Sequence, residues 1–175
     1  MAKKRSFQKS LTGRVALVAG ATRGAGRGIA RALGEAGATI YCTGRSVKGK
    51  PSPYGRPETI DETAAIIKAA GGTAIALRVD HTSEHDVKAL FRRILRDHKR
   101  IDIVVDSVAG EDPLMGQYGF LWQADLKTAD AIFRQGLTSR IITAKHAALA
   151  MMPAKRGLIV EVTENDILEI GRAHV

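Results

Sequence analysis

Cysteine is almost missing from this chain. Cys42 is the single one among 175 residues, so no internal disulfide can form. That usage fits a cytoplasmic location. No apolar run reaches the ~20 residues that a bilayer-spanning helix needs. The N-terminus is basic but carries no apolar core of the kind that directs secretion. Aromatic residues are scarce, at 5%, and they form no platform on which bases could stack. Metal-ligand spacing is also missing. His81 and His85 stand four apart and suit one helix face, but a metal needs more ligands than this pair and no others accompany them. Both are expected as surface histidines, and no metal is expected.

Acidic residues are absent from the first 14 positions, where Lys3, Lys4, Arg5, Lys9 and Arg14 place five positive charges. Without those five, the formal net charge of +9 drops to +4. The basic character is therefore partly a leader, residues 1–12, expected to be flexible and solubilising. Such charge could serve a nucleic-acid partner, but no aromatic platform or recognition motif accompanies it, and nucleic acid is not the expected partner.

What is present is a globular composition, 45% hydrophobic and 26% charged, in a chain long enough for one domain with a sizeable core. The organising stretch covers residues 15–30. An apolar run, Val15-Ala16-Leu17-Val18-Ala19, is short enough for a buried strand. Gly20-Ala21-Thr22-Arg23-Gly24-Ala25-Gly26 follows, and then Ile29, Leu33 and Ala36 recur at helical spacing. Strand, glycine turn and helix in this order bring backbone close to a diphosphate and aim a helix N-terminus at it. The plainer reading is a tight turn in some other α/β protein.

Periodicity predicts the rest. Gly34 weakens the last turn of the first helix, and Gly37 is placed to end it. Residues 39–43 read as a second strand. A polar loop follows, with Pro51, Pro53 and Pro57, the last suited to the first turn of a helix. Thr59 and Glu62 have capping-box spacing, and Gly71-Gly72 stop that helix. Residues 73–79 form a third strand. Ser83 is a candidate N-cap for a helix with the stripe Val87, Leu90, Phe91, Ile94 and Leu95. Residues 101–106 make a fourth strand, 108–124 an irregular stretch, 128–152 a long helix and 158–162 a fifth strand. Alternating strands and helices imply a parallel sheet with right-handed crossovers and a ligand beyond the C-terminal strand ends.

The end of the second strand selects the cofactor. A protein that binds NAD usually carries an acid there for the ribose 2′-hydroxyl. This chain has Thr43-Gly44-Arg45-Ser46 and no acid. The planar fork of Arg45 suits a 2′-phosphate, with Arg23 as a second charge. Both point to NADP, unless they are simply solvated loop residues. Gly44-Arg45-Ser46-Val47-Lys48-Gly49-Lys50 matches a phosphate-loop pattern only up to its lysine. Pro51 stands where that motif needs Ser or Thr, so the match is a coincidence.

The glycine spacing resembles the cofactor loop of the short-chain dehydrogenase/reductase family, Thr-Gly-x-x-x-Gly-x-Gly, with Ala19 in the place of the Thr. Gly28-Ile29-Ala30 and residues 37–45 resemble the branch related to dehydrogenase/reductase member 1. Ile101-Asp102-Ile103-Val104-Val105 is similar to the family's fourth strand. That strand normally leads into Asn-Asn-Ala-Gly, whereas here it leads into Asp106-Ser107-Val108-Ala109-Gly110. Residues 157–163 are similar to the strand that ends at the family's catalytic serine. The resemblance implies an α/β Rossmann-type doubly wound parallel sheet, order 3-2-1-4-5, and hydride transfer between NADP and a carbonyl or alcohol. It also implies that Asp80 contacts the adenine, although Asp80 equally suits the start of a turn. The residues assigned to the cofactor are Gly20, Thr22, Arg23, Gly24, Ala25, Gly26, Arg45, Ser46, Asp80, His81 and Ala109.

The family's proton-transferring Tyr-x-x-x-Lys is not in this sequence. Four residues beyond Tyr41, Tyr54 and Tyr118 stand Arg45, Glu58 and Trp122. The serine position falls at Thr163 or Glu164, which leaves Thr163 as the candidate catalytic hydroxyl, and Gly136 replaces an Asn of the long helix. The expectation is a C-terminally truncated member with an NADP-binding domain at 13–168, inactive by itself and homo-oligomeric when full length. Residues 169–175 resemble read-through of a sequencing adapter and are expected to be non-native. The alternative is a non-catalytic NADP-binding regulatory protein, motivated by Glu164 and Gly136.

Overall fold

In the computed structural model, residues 9–51, 55–109, 121–123 and 125–163 are described. The apolar run becomes β1 (Val15–Ala19), with every residue buried. Such burial on both faces requires neighbours on both sides and layers above and below. β1 pairs in parallel with β2 (Thr39–Gly44) and with β4 (Ile103–Asp106). β3 (Thr73–Arg78) and β5 (Leu158–Glu161) complete a five-stranded sheet, order 3-2-1-4-5. Every pairing is parallel, so all C-terminal strand ends lie on one edge.

Side chains alternate across a strand, and the two faces of β1 feed two cores. Val15 and Leu17 join Tyr41 and Val104 against α3 (Glu84–His98) and α5 (Ser139–Met151). Ala16 and Val18 join Ile40, Cys42 and Val105 against α1 (Gly24–Glu35) and α2 (Ile60–Ala69). The sheet is doubly wound for this reason. Its N-terminal edge is tied by Asp102, whose carboxylate accepts from the Val15 N–H at 3.0 Å, from Arg14 at 2.9 Å and from Arg100.

Local signals set most helix ends. The Thr59–Glu62 capping box forms in both directions, at 3.3 and 3.2 Å. Ser83 caps α3. Pro57 departs from expectation, because it lies two residues before the Thr59 cap and not in the first turn of α2. The expected helix over 128–152 is three pieces: α4 (Leu126–Phe133), a wide π-helical turn (Arg134–Thr138) that contains Gly136, and α5. Gly34 has a packing reason. A Cβ there would stand 2.6 Å from Cγ2 of Ile67, so the glycine lets α1 lie close on α2. Of the expected irregular stretch, 110–120 and 124 lie outside the described residues, and Leu121–Gln123 forms a 3-10 turn. Tyr54, Tyr118, Glu164 and the tail at 169–175 are also outside them. Among the described residues no helix is long and apolar enough to cross a membrane.

Candidate functional site

The site is built where β1 hands over to α1. The N–H groups of Gly20 and Ala21 both donate to the Thr43 carbonyl at 3.0 Å, which anchors the turn to the end of β2. Gly20 has φ +75°, and a Cβ on it would stand 2.3 Å from the Ser107 carbonyl oxygen. No other residue satisfies both demands. Gly26 presses α1 onto the turn, since a Cβ there would stand 2.3 Å from the Gly20 oxygen. Gly24 differs: its φ is +53°, and nothing lies within 4 Å of where its Cβ would be.

That open space faces the start of a 12-residue helix. Arg23 occupies the cap position in extended conformation, with no side-chain cap bond and no acid in the first turn. The first-turn N–H groups are therefore not satisfied by a capping side chain, and they carry the positive end of the helix dipole. A diphosphate suits this cradle in charge, in donors and in room. The residues present fit a dinucleotide.

The tip of β2 packs on the same turn. A Cβ at Gly44 would stand 2.9 Å from Oγ of Thr22. Ser46 is buried, and its carbonyl accepts from the Ile60 N–H at 3.1 Å. Arg45 is half-buried and donates from Nη2 to Oε1 of Gln135 at 3.0 Å, reaching the π-helical turn. At the end of β3, Asp80 Oδ1 accepts from the N–H and the hydroxyl of Thr82, at 3.0 and 2.8 Å. The turn-forming role of Asp80 is thus realised.

His81 is not a surface residue, contrary to the sequence expectation. It is 4% exposed, with Nε2 2.9 Å from Oγ of Thr43 and Nδ1 2.9 Å from Oγ of Thr143. Burial pushes its pKa down to about 4, against a smaller opposing pull from Asp80 and Asp86. It is neutral at physiological pH. His85, by contrast, is exposed. The Cys42 thiol is pushed up to about 12 by burial and is unreactive at neutral pH.

The far side of the site is formed by β4 and β5. Asp106, at the end of β4, is buried, and its Oδ1 accepts from the Val108 N–H at 3.0 Å. It stands in register with Ala19 on one side and Glu161 on the other. Burial, and then the Asp106 charge, raise the pKa of Glu161. Arg140 of α5 ties these ends together. It donates to the carbonyls of Val162 at 2.8 Å and Val108 at 2.9 Å, and it lies 3.5 Å from Oε2 of Glu161. Ala109 is half-buried in the loop after β4, and Thr163 is exposed two residues beyond β5.

The fold thus brings the glycine turn, Arg45, Ser46, Asp80, His81, Ala109 and Thr163 to one edge of the sheet. Gln135, Thr143, Arg140 and Glu161 complete that edge without having been singled out by sequence. One signal existed: Gln135, Ser139 and Thr143 are polar and uncharged at four-residue spacing, so they share one face where the segment is helical. Nothing local marks Arg140.

A family model for short chain dehydrogenase matches residues 14–166. The chain is 34% identical over 156 residues to Dehydrogenase/reductase SDR family member 1 of Mus musculus, covering 87% of this chain and 47% of that protein. It is 31% identical over 162 residues to the Homo sapiens protein of the same name, covering 91% and 49%. The chain therefore spans about half the length of these relatives. Among solved structures, a metagenomic short-chain oxidoreductase in complex with NADP is similar at a TM-score of 0.71 and 30% identity, covering 89% of this chain and 64% of that one.

Proposed function

The chain belongs to the short-chain dehydrogenase family of oxidoreductases, and from that premise we propose that it is the NADP-binding part of an enzyme that transfers hydride between this cofactor and a small carbonyl or alcohol. The observation that carries the cofactor choice is the tip of β2, which packs on the glycine turn and presents Arg45 with no acid from Thr43 to Pro51. Gly20, Thr22, Arg23, Gly24, Ala25 and Gly26 would hold the diphosphate against the start of α1. Arg45, with Arg23 and the Ser46 hydroxyl, would hold the 2′-phosphate. Asp80 would border the adenine. The Asp106–Ser107–Val108–Ala109 segment, fixed by Arg140, would support the nicotinamide end. When bound, the nicotinamide supplies or accepts the hydride.

Proton transfer is the step these residues do not provide. No tyrosine in the sequence has a lysine four residues on, and an isolated phenol, with a pKa near ~10, is a poor base at neutral pH. Thr163 offers a hydroxyl that can orient a substrate oxygen. This 175-residue chain therefore binds cofactor without useful turnover. The deciding experiment titrates the chain with NADPH and NADH by calorimetry. Tighter NADPH binding, largely abolished as a preference in Arg45→Ala, supports the reading, and equal affinities overturn it.

A second reading, a non-catalytic NADP-binding regulator, draws on Gly136, which sits in the wide turn where the resemblance expects an Asn. Turnover by the protein encoded by the whole gene would separate the two.

A further inference from the structure

His81 has no part in the chemistry proposed above, yet it is buried at the meeting point of three elements. Its ring bridges Thr43 at the end of β2 and Thr143 on α5, 62 residues further along the chain. The surrounding hydrogen bonds favour one tautomer over the other. Thr143 donates its hydroxyl hydrogen back to the Ser139 carbonyl at 2.9 Å, so its oxygen is left to accept from His81 Nδ1–H. Nε2 then accepts from the Thr43 hydroxyl at 2.9 Å. The opposite tautomer would give up the Thr143–Ser139 bond and keep only a longer bond of 3.3 Å from Thr43 to the Val18 carbonyl. The first arrangement retains the shorter contacts.

Thr43 is the pivot of the candidate cofactor site. Its carbonyl anchors Gly20 and Ala21, its side chain meets His81, and Arg45 follows two residues later. A second bridge runs parallel to the first, because Arg45 bonds Gln135 on the segment that leads into α5. We propose that His81, with its proton on Nδ1, is a positioning residue: it fixes the tip of β2 against α5 and so aims Arg45 at the 2′-phosphate of NADP. It does this through Thr43, without touching the cofactor. This rests on the NADP reading above.

Each isostere keeps one end of the bridge and gives up the other. The terminal atoms of Asn fall where ring Nδ1 lies, so His81→Asn keeps the α5 bond and leaves Thr43 only its longer bond to the Val18 carbonyl. The terminal atoms of Gln reach the Nε2 position, so His81→Gln keeps the acceptor for Thr43 and gives up the bond to Thr143 on α5. Thr43→Val removes the donor from the other side. Calorimetry on the 175-residue chain should show NADPH affinity about tenfold weaker in His81→Asn, His81→Gln and Thr43→Val. NADH affinity should change less than NADPH affinity in all three, which a purely structural role would not produce. NADPH affinity within about threefold of wild type in either His81 variant, or equal losses for the two nucleotides, overturns the proposal. A long-range proton–nitrogen spectrum of the histidine-labelled wild type reads the tautomer without any variant. Protonated Nδ1 supports the bridge, and protonated Nε2 overturns it. A wild-type chain that binds neither nucleotide overturns the NADP reading, and this proposal with it.

Discussion

The carbonyl of Gly20 lies against α1 at Gly26, so close that a Cβ at position 26 would stand 2.3 Å from its oxygen. Both partners in that contact are backbone, so neither can swing aside. Gly26→Ala must push the helix off the turn, at a cost of about 1–3 kcal/mol, and should abolish nucleotide binding. Gly28, two residues on, is exposed, with open space around it. Gly28→Ala should stabilise the chain by about 0.5–1 kcal/mol through helix propensity. Thermal denaturation of the two variants checks the opposite signs.

Arg45 donates from Nη2 to Oε1 of Gln135. Gln135→Leu removes that orienting partner without changing charge. The expected outcome is a several-fold weaker NADPH affinity with NADH affinity little changed, a smaller effect in the same direction as Arg45→Ala. Fluorescence titration with both nucleotides measures it, and a larger effect on NADH would contradict the assigned role of Arg45.

Acid stability should carry the signature of His81. Its folded pKa is lowered to about 4 from an ordinary 6.5. Below about 6.5 the unfolded chain therefore binds a proton that the folded chain refuses. The stabilising contribution is complete above that value and is lost as pH falls toward 4, a total of about 3 kcal/mol. Asp80 and Asp86 pull the other way but do not prevail. Urea denaturation between pH 7 and 4 should show a slope that His81→Gln flattens.

β5 is an edge strand among the described residues, with Leu158 and Val160 exposed at 55% and 37%. Ile141 and Leu149 of α5 are exposed as well. Apolar area on a sheet edge favours pairing with a second chain. Sedimentation velocity should find concentration-dependent association, and Leu158→Lys should shift it toward monomer. A wild-type chain monomeric at every concentration would remove this expectation.

Turnover should be absent while binding persists. NADPH oxidation by the purified chain, with aldehydes, ketones and quinones in turn, is expected to stay at the no-enzyme rate. Rates comparable to a full-length relative would show that another group moves the proton, and Thr163→Val would then test the hydroxyl two residues beyond β5.

Sequence alone determined the elements whose cause is local. The strand, glycine turn and helix at 15–30 were legible because backbone angle, burial and period all act within a few residues of one another. The same holds for the Thr59–Glu62 capping box and the Ser83 cap, where donor and acceptor sit within one turn. Parallel pairing followed from the alternation of strands and helices, while the order 3-2-1-4-5 was what the family resemblance implied. Tertiary structure alone decided what depends on distant partners. His81 and His85 share a local pattern, yet one is buried and the other exposed, because only His81 meets Thr143 from 62 residues away. Gly34 looked like a weak spot in a helix until Ile67 was placed against it. Arg140 holds the ends of β4 and β5 only because α5 crosses both. Hydrogen-bond partners of this kind are chosen by packing, and packing is a property of the whole fold.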